Sequence, residues 1–199
     1  MTYVFDLDGT LIDSTRRHWV LMESILNDHG IKVDNNFADD YMSYKASGNG
    51  GKDYLKNILN IDNELASTIQ KEWISRIEDE SMLELDELYD DALPTLSKIK
   101  EPILFLTIRE NAEGLKKSLI RLGLNDYEVK ILPHGESKAN VLKEISDQVI
   151  MIGDTEIDYK AAIETGCNYY LLNRGFRNED YWNELGIRSY KDLSELAVN

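Results

Sequence analysis

Apolar residues along this chain fall into two regimes. The first is a short run, Tyr3-Val4-Phe5-Asp6-Leu7, closed by the turn signal Asp8-Gly9-Thr10, which predicts a buried strand ending in a loop. Asp13-Ser14 then offers a helix cap, and from about Thr15 to about Tyr89 the spacing is helical throughout: Trp19, Met22 and Leu26, then Tyr54, Leu55, Ile58 and Leu59, then Leu65, Ile69, Trp73 and Ile77. From about Asp90 onward, β-rich runs alternate with helical ones. Strands are predicted at 103–106, 127–132, 149–152 and 169–172. Helices are predicted around Ala112 to Leu122, Lys138 to Ser146 and Ile157 to Thr165, with Gly123 and Gly166 as stops. Such alternation signals βαβ units and a parallel sheet. The first strand has no such helix after it, so the simplest assembly places it in the same sheet. The expected architecture is an α/β core from residues 1–14 and 90–199, with an all-helical cap, 15–89, inserted after the first strand. The acidic stretch Glu84 to Asp91, where the chain returns from cap to sheet, reads as a solvated face.

Composition narrows the function. Across 199 residues, 22 Lys and Arg against 37 Asp and Glu give a formal net charge of −15, which argues against nucleic acid or an anionic membrane surface as a partner. With 42% hydrophobic and 30% charged residues the chain is of soluble globular type. It contains no apolar run of about 18 residues, and its start is too short and acidic for a signal peptide, so a cytoplasmic location is expected. Cys167 is the only cysteine, which excludes an internal disulfide, and it reads as a small packed residue after a helix. His18, His29 and His134 form no metal-ligand spacing and read as incidental.

In an open parallel sheet of this Rossmann-like kind, ligands bind beyond the carboxyl ends of the strands. The first strand delivers Asp6 and Asp8 there, the second Thr107, and the third leads toward Lys138 at a helix start. The fourth delivers Asp154, with Asp158 following in the next helix. Carboxylates converging at one edge repel one another unless a hard cation sits between them, and oxygen ligands of this type select Mg²⁺ or a similar ion. A lysine and a threonine beside such a metal are the means of clamping a phosphoryl group. An EF-hand register from Asp6 fails, because it puts Leu11 where glycine belongs and Arg17 where the bidentate glutamate belongs.

Asp6-Leu7-Asp8-Gly9-Thr10 after an apolar strand, Thr107 closing Leu104-Phe105-Leu106, Lys138, and Gly153-Asp154-x-x-x-Asp158 resemble, in order, the four motifs of the haloacid dehalogenase superfamily. The helical insertion is similar to the cap of its phosphatase and phosphomutase branch. The resemblance implies that Asp6 is the nucleophile, forming an aspartyl phosphate, and that Asp8 is the general acid and base. It implies Mg²⁺ held by the Asp6 carboxylate, the Asp8 carbonyl and Asp154, with Asp158 holding a water or orienting Lys138. Thr107 and the backbone N–H groups beginning at Ile108 would bind the remaining phosphate oxygens.

Two departures from the family pattern stand out. Thr107 is followed by Ile108-Arg109-Glu110-Asn111, so Arg109 is either a further phosphate or substrate contact or a surface charge. Lys138 is followed by Ala139 where proline is frequent, which makes Lys143 the fallback lysine. The expected reaction is Mg²⁺-dependent hydrolysis of a small phosphorylated metabolite. A phosphomutase uses the same residues and differs in keeping water from the phosphoenzyme. A phospho-acceptor or binding module without turnover is the reading from another class, but receivers of that kind carry the phosphorylated Asp on a middle strand, and nothing like Asp154 and Asp158 follows their lysine. Within the cap, Lys45 to Asp53 is polar and glycine-rich and is expected to form a specificity loop facing Asp6, through Lys45 or Lys52; Arg16 and Arg17 are weaker candidates.

Overall fold

A computed structural model describes residues 1–145 and 148–196. Strands β1 (Thr2–Phe5), β4 (Ile103–Ile108), β5 (Glu128–Leu132), β6 (Val149–Gly153) and β7 (Asn168–Leu171) form one parallel sheet in the order β5-β4-β1-β6-β7. The pleat sends alternate side chains to opposite faces. Tyr3, Phe5, Phe105 and Ile152 pack on one face with Leu115 and Leu119 of α7 (Ala112–Arg121) and Leu96 of α6 (Ala92–Leu96). Val4, Leu106 and Met151 pack on the other with α8 (Lys138–Glu144) and α9 (Glu156–Thr165). Covered on both faces, the inner strands β1, β4 and β6 are apolar at nearly every position, whereas the edge strands β5 and β7 expose Glu128, Lys130 and Asn168.

Between β1 and β4 lie the inserted helices α1 (Thr15–Asp28), α2 (Phe37–Ala46), α3 (Gly51–Asn57), α4 (Asn63–Arg76) and the single turn α5 (Glu80–Leu83). They enclose an apolar cluster of their own, with Leu21, Met22, Ile25, Phe37, Tyr41, Tyr54 and Ile69 buried. Where the chain leaves and re-enters the sheet region, β2 (Ile12–Asp13) and β3 (Glu87–Leu88) pair antiparallel, clasping the root of the insertion. Two-residue strands carry no readable alternation, so this ladder has no sequence signature. A final helix, α10 (Glu179–Glu184), and a 3₁₀ turn over Leu193–Glu195 complete the fold.

Several boundaries differ from expectation for local reasons. The cap of α1 is supplied by Asp13, whose Oδ1 accepts from the Thr15 N–H (3.0 Å) and hydroxyl (2.6 Å), and Ser14 makes no side-chain cap bond. The segment expected as one loop over 45–53 is mostly helical: Lys45 is in the last turn of α2 and Lys52 in the first turn of α3. The expected end of α8 at Ser146 lies outside the described residues. The helix is closed by Ile145, which has left the helical conformation. Gly166 closes α9 in the left-handed conformation, φ 69°, as expected. No helix among the described residues is long and apolar enough to cross a membrane.

Candidate active site

β1 is the central strand, and its last bonded step, Asp6 N–H to the Ile152 carbonyl (2.8 Å), carries Asp6 to the carboxyl edge beside β6. The chain then folds back on one acceptor: the N–H groups of Thr10, Leu11 and Ile12 all point to the Leu7 carbonyl, at 3.1, 2.9 and 2.9 Å. This compact turn requires φ +78° at Gly9, and a β-carbon there would sit 2.2 Å from Asp154 Oδ2. Glycine is needed for both reasons.

Three carboxylates meet behind this turn. Asp6, Asp154 and Asp158 are buried and present oxygens within 4.8 Å of one another. Lys138, at the start of α8, bridges two of them, its Nζ lying 2.6 Å from Asp6 Oδ1 and 2.7 Å from Asp158 Oδ1. Asp158 is held by its own helix, because its Oδ2 accepts from the Thr155 N–H (3.1 Å) and hydroxyl (2.8 Å). It therefore orients Lys138 and closes the first turn of α9 at once. Asp154 accepts from the Phe176 N–H at 2.9 Å and the Thr10 hydroxyl at 3.3 Å. Lys143, the fallback, lies on the surface against Glu164.

One ammonium does not balance three buried carboxylates. Burial opposes the charge on Lys138, but Asp158 and Asp6 outweigh it and keep the amine protonated. Burial pushes Asp6 up to about 7 in spite of Lys138. Asp154 is held well above the usual carboxylate range by burial and then by the charges of Asp6 and Asp158. An all-oxygen, over-charged pocket of this kind fits a hard divalent cation.

Asp8 faces the other way. Its carboxylate receives a two-pronged grip from Arg109, Nε to Oδ2 at 2.8 Å and Nη2 to Oδ1 at 2.6 Å, and a third contact from Arg17 Nη2 at 2.5 Å. Burial would raise Asp8, but Arg109 and Arg17 overcome it and hold the carboxyl at about 2. Both arginines also meet Asp86, at 3.0 Å from Arg17 Nε and 3.6 Å from Arg109 Nη2. The result is a buried square of two carboxylates and two guanidiniums joining the inserted helices to the sheet.

The square corrects the expectation for the acidic stretch, since Asp86 is fully buried. Asp91 also leaves solvent partly, gripping Arg174 Nη1 at 2.9 and 2.8 Å. Nothing in the sequence separates these two acids from their exposed neighbours. Arg17 lies in the site and Arg16 is exposed. The Arg109 guanidinium rests on Asp8, and the Arg109 backbone N–H donates to the Leu132 carbonyl at 2.9 Å. Thr107 is buried near the end of β4, next to β1, and Ile108 is the last residue of that strand.

Beside Asp8 opens a cavity of about 490 Å³ between α1, α4, β4 and the loop carrying Phe176. His18, unassigned by sequence, forms part of its wall, with its Nδ1 2.7 Å from Lys45 Nζ. Lys45 lies 5.1 to 5.5 Å from the ring centres of Trp73, Phe176 and Tyr41. Burial, then Arg177 and Arg17, lower its amine to about 7. The periodicity marks Trp73 only as a core position of a helix; the structure packs it against the helical cluster and also places it in the cavity wall.

Carboxylates paired with a buried lysine at the carboxyl edge of an open parallel sheet place this chain among the α/β enzymes. A family model of haloacid dehalogenase-like hydrolases matches residues 1–166, and the chain belongs to that family. Solved structures share the fold. A haloacid dehalogenase-like family hydrolase from Streptococcus pneumoniae is 18% identical, with 94% of this chain and 91% of that one covered and a TM-score of 0.68. A predicted phosphatase from Clostridium acetobutylicum is 21% identical over 98% and 95% of the two chains, TM-score 0.71. A predicted phosphoglycolate phosphatase from Haemophilus somnus is 16% identical over 98% and 95%, TM-score 0.72. No curated protein matches the chain.

Proposed function

We propose that the protein hydrolyses a small phosphomonoester through an aspartyl phosphate, and that residues 15–89 act as a cap over a core of 1–14 and 90–199. The observation that carries this reading is the pairing of Asp6 with Lys138 at the end of the central strand, with Asp8 two residues further on and turned toward a cavity. An Asp6 oxygen bonds to phosphorus as the ester P–O bond breaks, and the departing oxygen takes a proton. Lys138 neutralises the approaching phosphate, and Thr107 with the adjoining backbone at Ile108 supports its oxygens. A Mg²⁺-type ion held by Asp6, Asp154 and the Asp8 carbonyl, with Asp158 close by, would neutralise charge on the phosphoryl group.

Gripped by two guanidiniums, Asp8 is ionised at neutral pH, the form that takes a proton from the water hydrolysing the acyl phosphate. Donating a proton in the first half-reaction requires Arg17 and Arg109 to turn from Asp8 toward the incoming phosphate, which makes Arg109 a phosphate contact in the loaded enzyme. Proton transfer of this kind contributes roughly 10² to 10⁴-fold. The test is a phosphate-release screen over metabolite phosphates with Mg²⁺, run beside Asp6→Asn. Release by the native chain and none by Asp6→Asn is expected. Activity surviving the substitution overturns the reading, and turnover only with a bisphosphate activator replaces hydrolase by phosphomutase.

A further inference from the structure

We propose that the cavity beside Asp8 selects phosphomonoesters whose leaving group carries a planar unsaturated ring close to the ester oxygen. The proposal rests on the phosphatase reading for its chemistry and takes the cavity walls as its own ground. Ile74 from the end of α4, Ile77 just after it and Ile108 from β4 supply aliphatic surface; Trp73, His18 and Phe176 supply rings. His18 lies 5.0 Å from the Trp73 ring at 61° and 4.5 Å from Phe176 at 43°, so the three rings form one connected wall.

Most polar atoms of that wall that have partners meet one another rather than the open space. Trp73 Nε1 donates to the His18 carbonyl at 3.1 Å, and His18 Nδ1 meets Lys45 Nζ. Arg17 and Arg109 pair with Asp8 and Asp86, and the guanidinium nitrogen without a partner among the described residues, Arg109 Nη1, is left to the phosphoryl group toward which Arg109 turns. Glu78, also at the cavity, accepts the backbone N–H groups of Asn111 (2.6 Å) and Glu110 (3.3 Å) and adds negative charge. With the guanidiniums taken by the phosphoryl group and Asp86, a carboxylate-bearing leaving group would add its charge to that of Glu78, and a polyhydroxy one would lose water while finding few partners. A ring loses little on leaving water and finds faces and edges to pack against. Ile74, 55% exposed although it lines the cavity, is the kind of surface such a ring would cover. A space of about 490 Å³ suits one small ring system rather than a polymer.

The test compares esters of similar leaving ability: benzyl phosphate, glycerol phosphate and phosphoglycolate, all with Mg²⁺. Benzyl phosphate is expected to lead in kcat/KM by about tenfold or more, the scale on which apolar pockets discriminate. Trp73→Ala should shrink that ratio, chiefly through KM. Ile74→Glu, at an exposed position, should shrink it too. A parallel measurement needs no turnover: benzylphosphonate should bind more tightly than methylphosphonate, and the gain should fall in both variants. If no ester is hydrolysed but benzylphosphonate keeps its advantage, the phosphatase reading fails and the cavity assignment stands. If glycerol phosphate or phosphoglycolate matches benzyl phosphate, or if the phosphonates bind alike, the ring preference is wrong.

Discussion

Gly9 ties the motif turn to the carboxylate pocket more tightly than any polar contact does. At φ +78°, with a would-be β-carbon 2.2 Å from Asp154 Oδ2, an added methyl must displace either the turn or the carboxylate. Left-handed backbone alone costs about 1–2 kcal/mol outside glycine. Gly9→Ala should therefore lower the urea midpoint and, by moving Asp154, raise the Mg²⁺ concentration for half-maximal activity about 10- to 100-fold; an unmoved Mg²⁺ titration would contradict this packing. Lys45 offers a test of burial by pH. Its amine falls from 10.5 to about 7 in the folded chain, so between those values the unfolded chain holds a proton that the native one has released. Stability must then rise with pH across that interval. Urea midpoints of the native chain and Lys45→Met, followed from pH 6.5 to pH 9.5, should diverge in favour of the native chain as pH rises, and a constant gap would show a solvated amine. The structure brings Asp6, Lys138, Asp154 and Asp158 together, with Asp8 beside them, and the sequence pointed to this group through the order of the motifs at strand ends and helix starts rather than through any one residue. Asp86 and His18 were not legible, because their roles depend on which surface the inserted helices present to the sheet.

At the level of elements, the inner strands were readable because both faces of the sheet are covered there, and unbroken apolar runs between turn signals then have one interpretation, while β5 was readable from its alternation of polar and apolar positions. The short pieces were not: β2 with β3, and α10, are set by contacts across the chain rather than by local periodicity. Helix α4 shows what a local signal can and cannot do. Its start is written in the sequence, since Asp62 Oδ1 accepts the N–H groups of Glu64 (2.9 Å) and Leu65 (3.0 Å). Its far end carries Trp73 and Ile74 to the cavity, and that placement depends on the packing of α4 against α1 and α3. The two ends should separate in experiment. Asp62→Ala ought to cost about 1 kcal/mol of stability in denaturant titrations, with kcat/KM unchanged because the cap lies more than two helical turns from Trp73. A loss of kcat/KM at unchanged stability would mean that the whole helix, start included, positions the substrate.

Taken as a whole, the molecule sets a negative envelope around a centre whose cations are already paired with carboxylates. Its net charge of −15 was readable from composition, but the neutralisation inside was not: Arg17 and Arg109 are spent on Asp8 and Asp86, Lys138 on Asp6 and Asp158, and Arg174 on Asp91. Pairing of this kind leaves few cations to draw a phosphate ester in from bulk solvent. An anionic substrate therefore approaches against the long-range field and is received only once it reaches the edge of the sheet. Screening acts mainly on the first of these stages, because the Debye length shrinks from about 30 Å at ~0.01 M salt to about 8 Å at ~0.15 M, whereas contacts at 2.6 to 2.8 Å inside the site are scarcely affected. With Mg²⁺ held constant, kcat/KM should rise over that salt range, by up to about tenfold, and kcat should stay level. An ester with an additional negative charge should show the steeper rise. A fall in kcat/KM with salt would mean the opposite balance, with attraction by the buried cations reaching beyond the acidic surface.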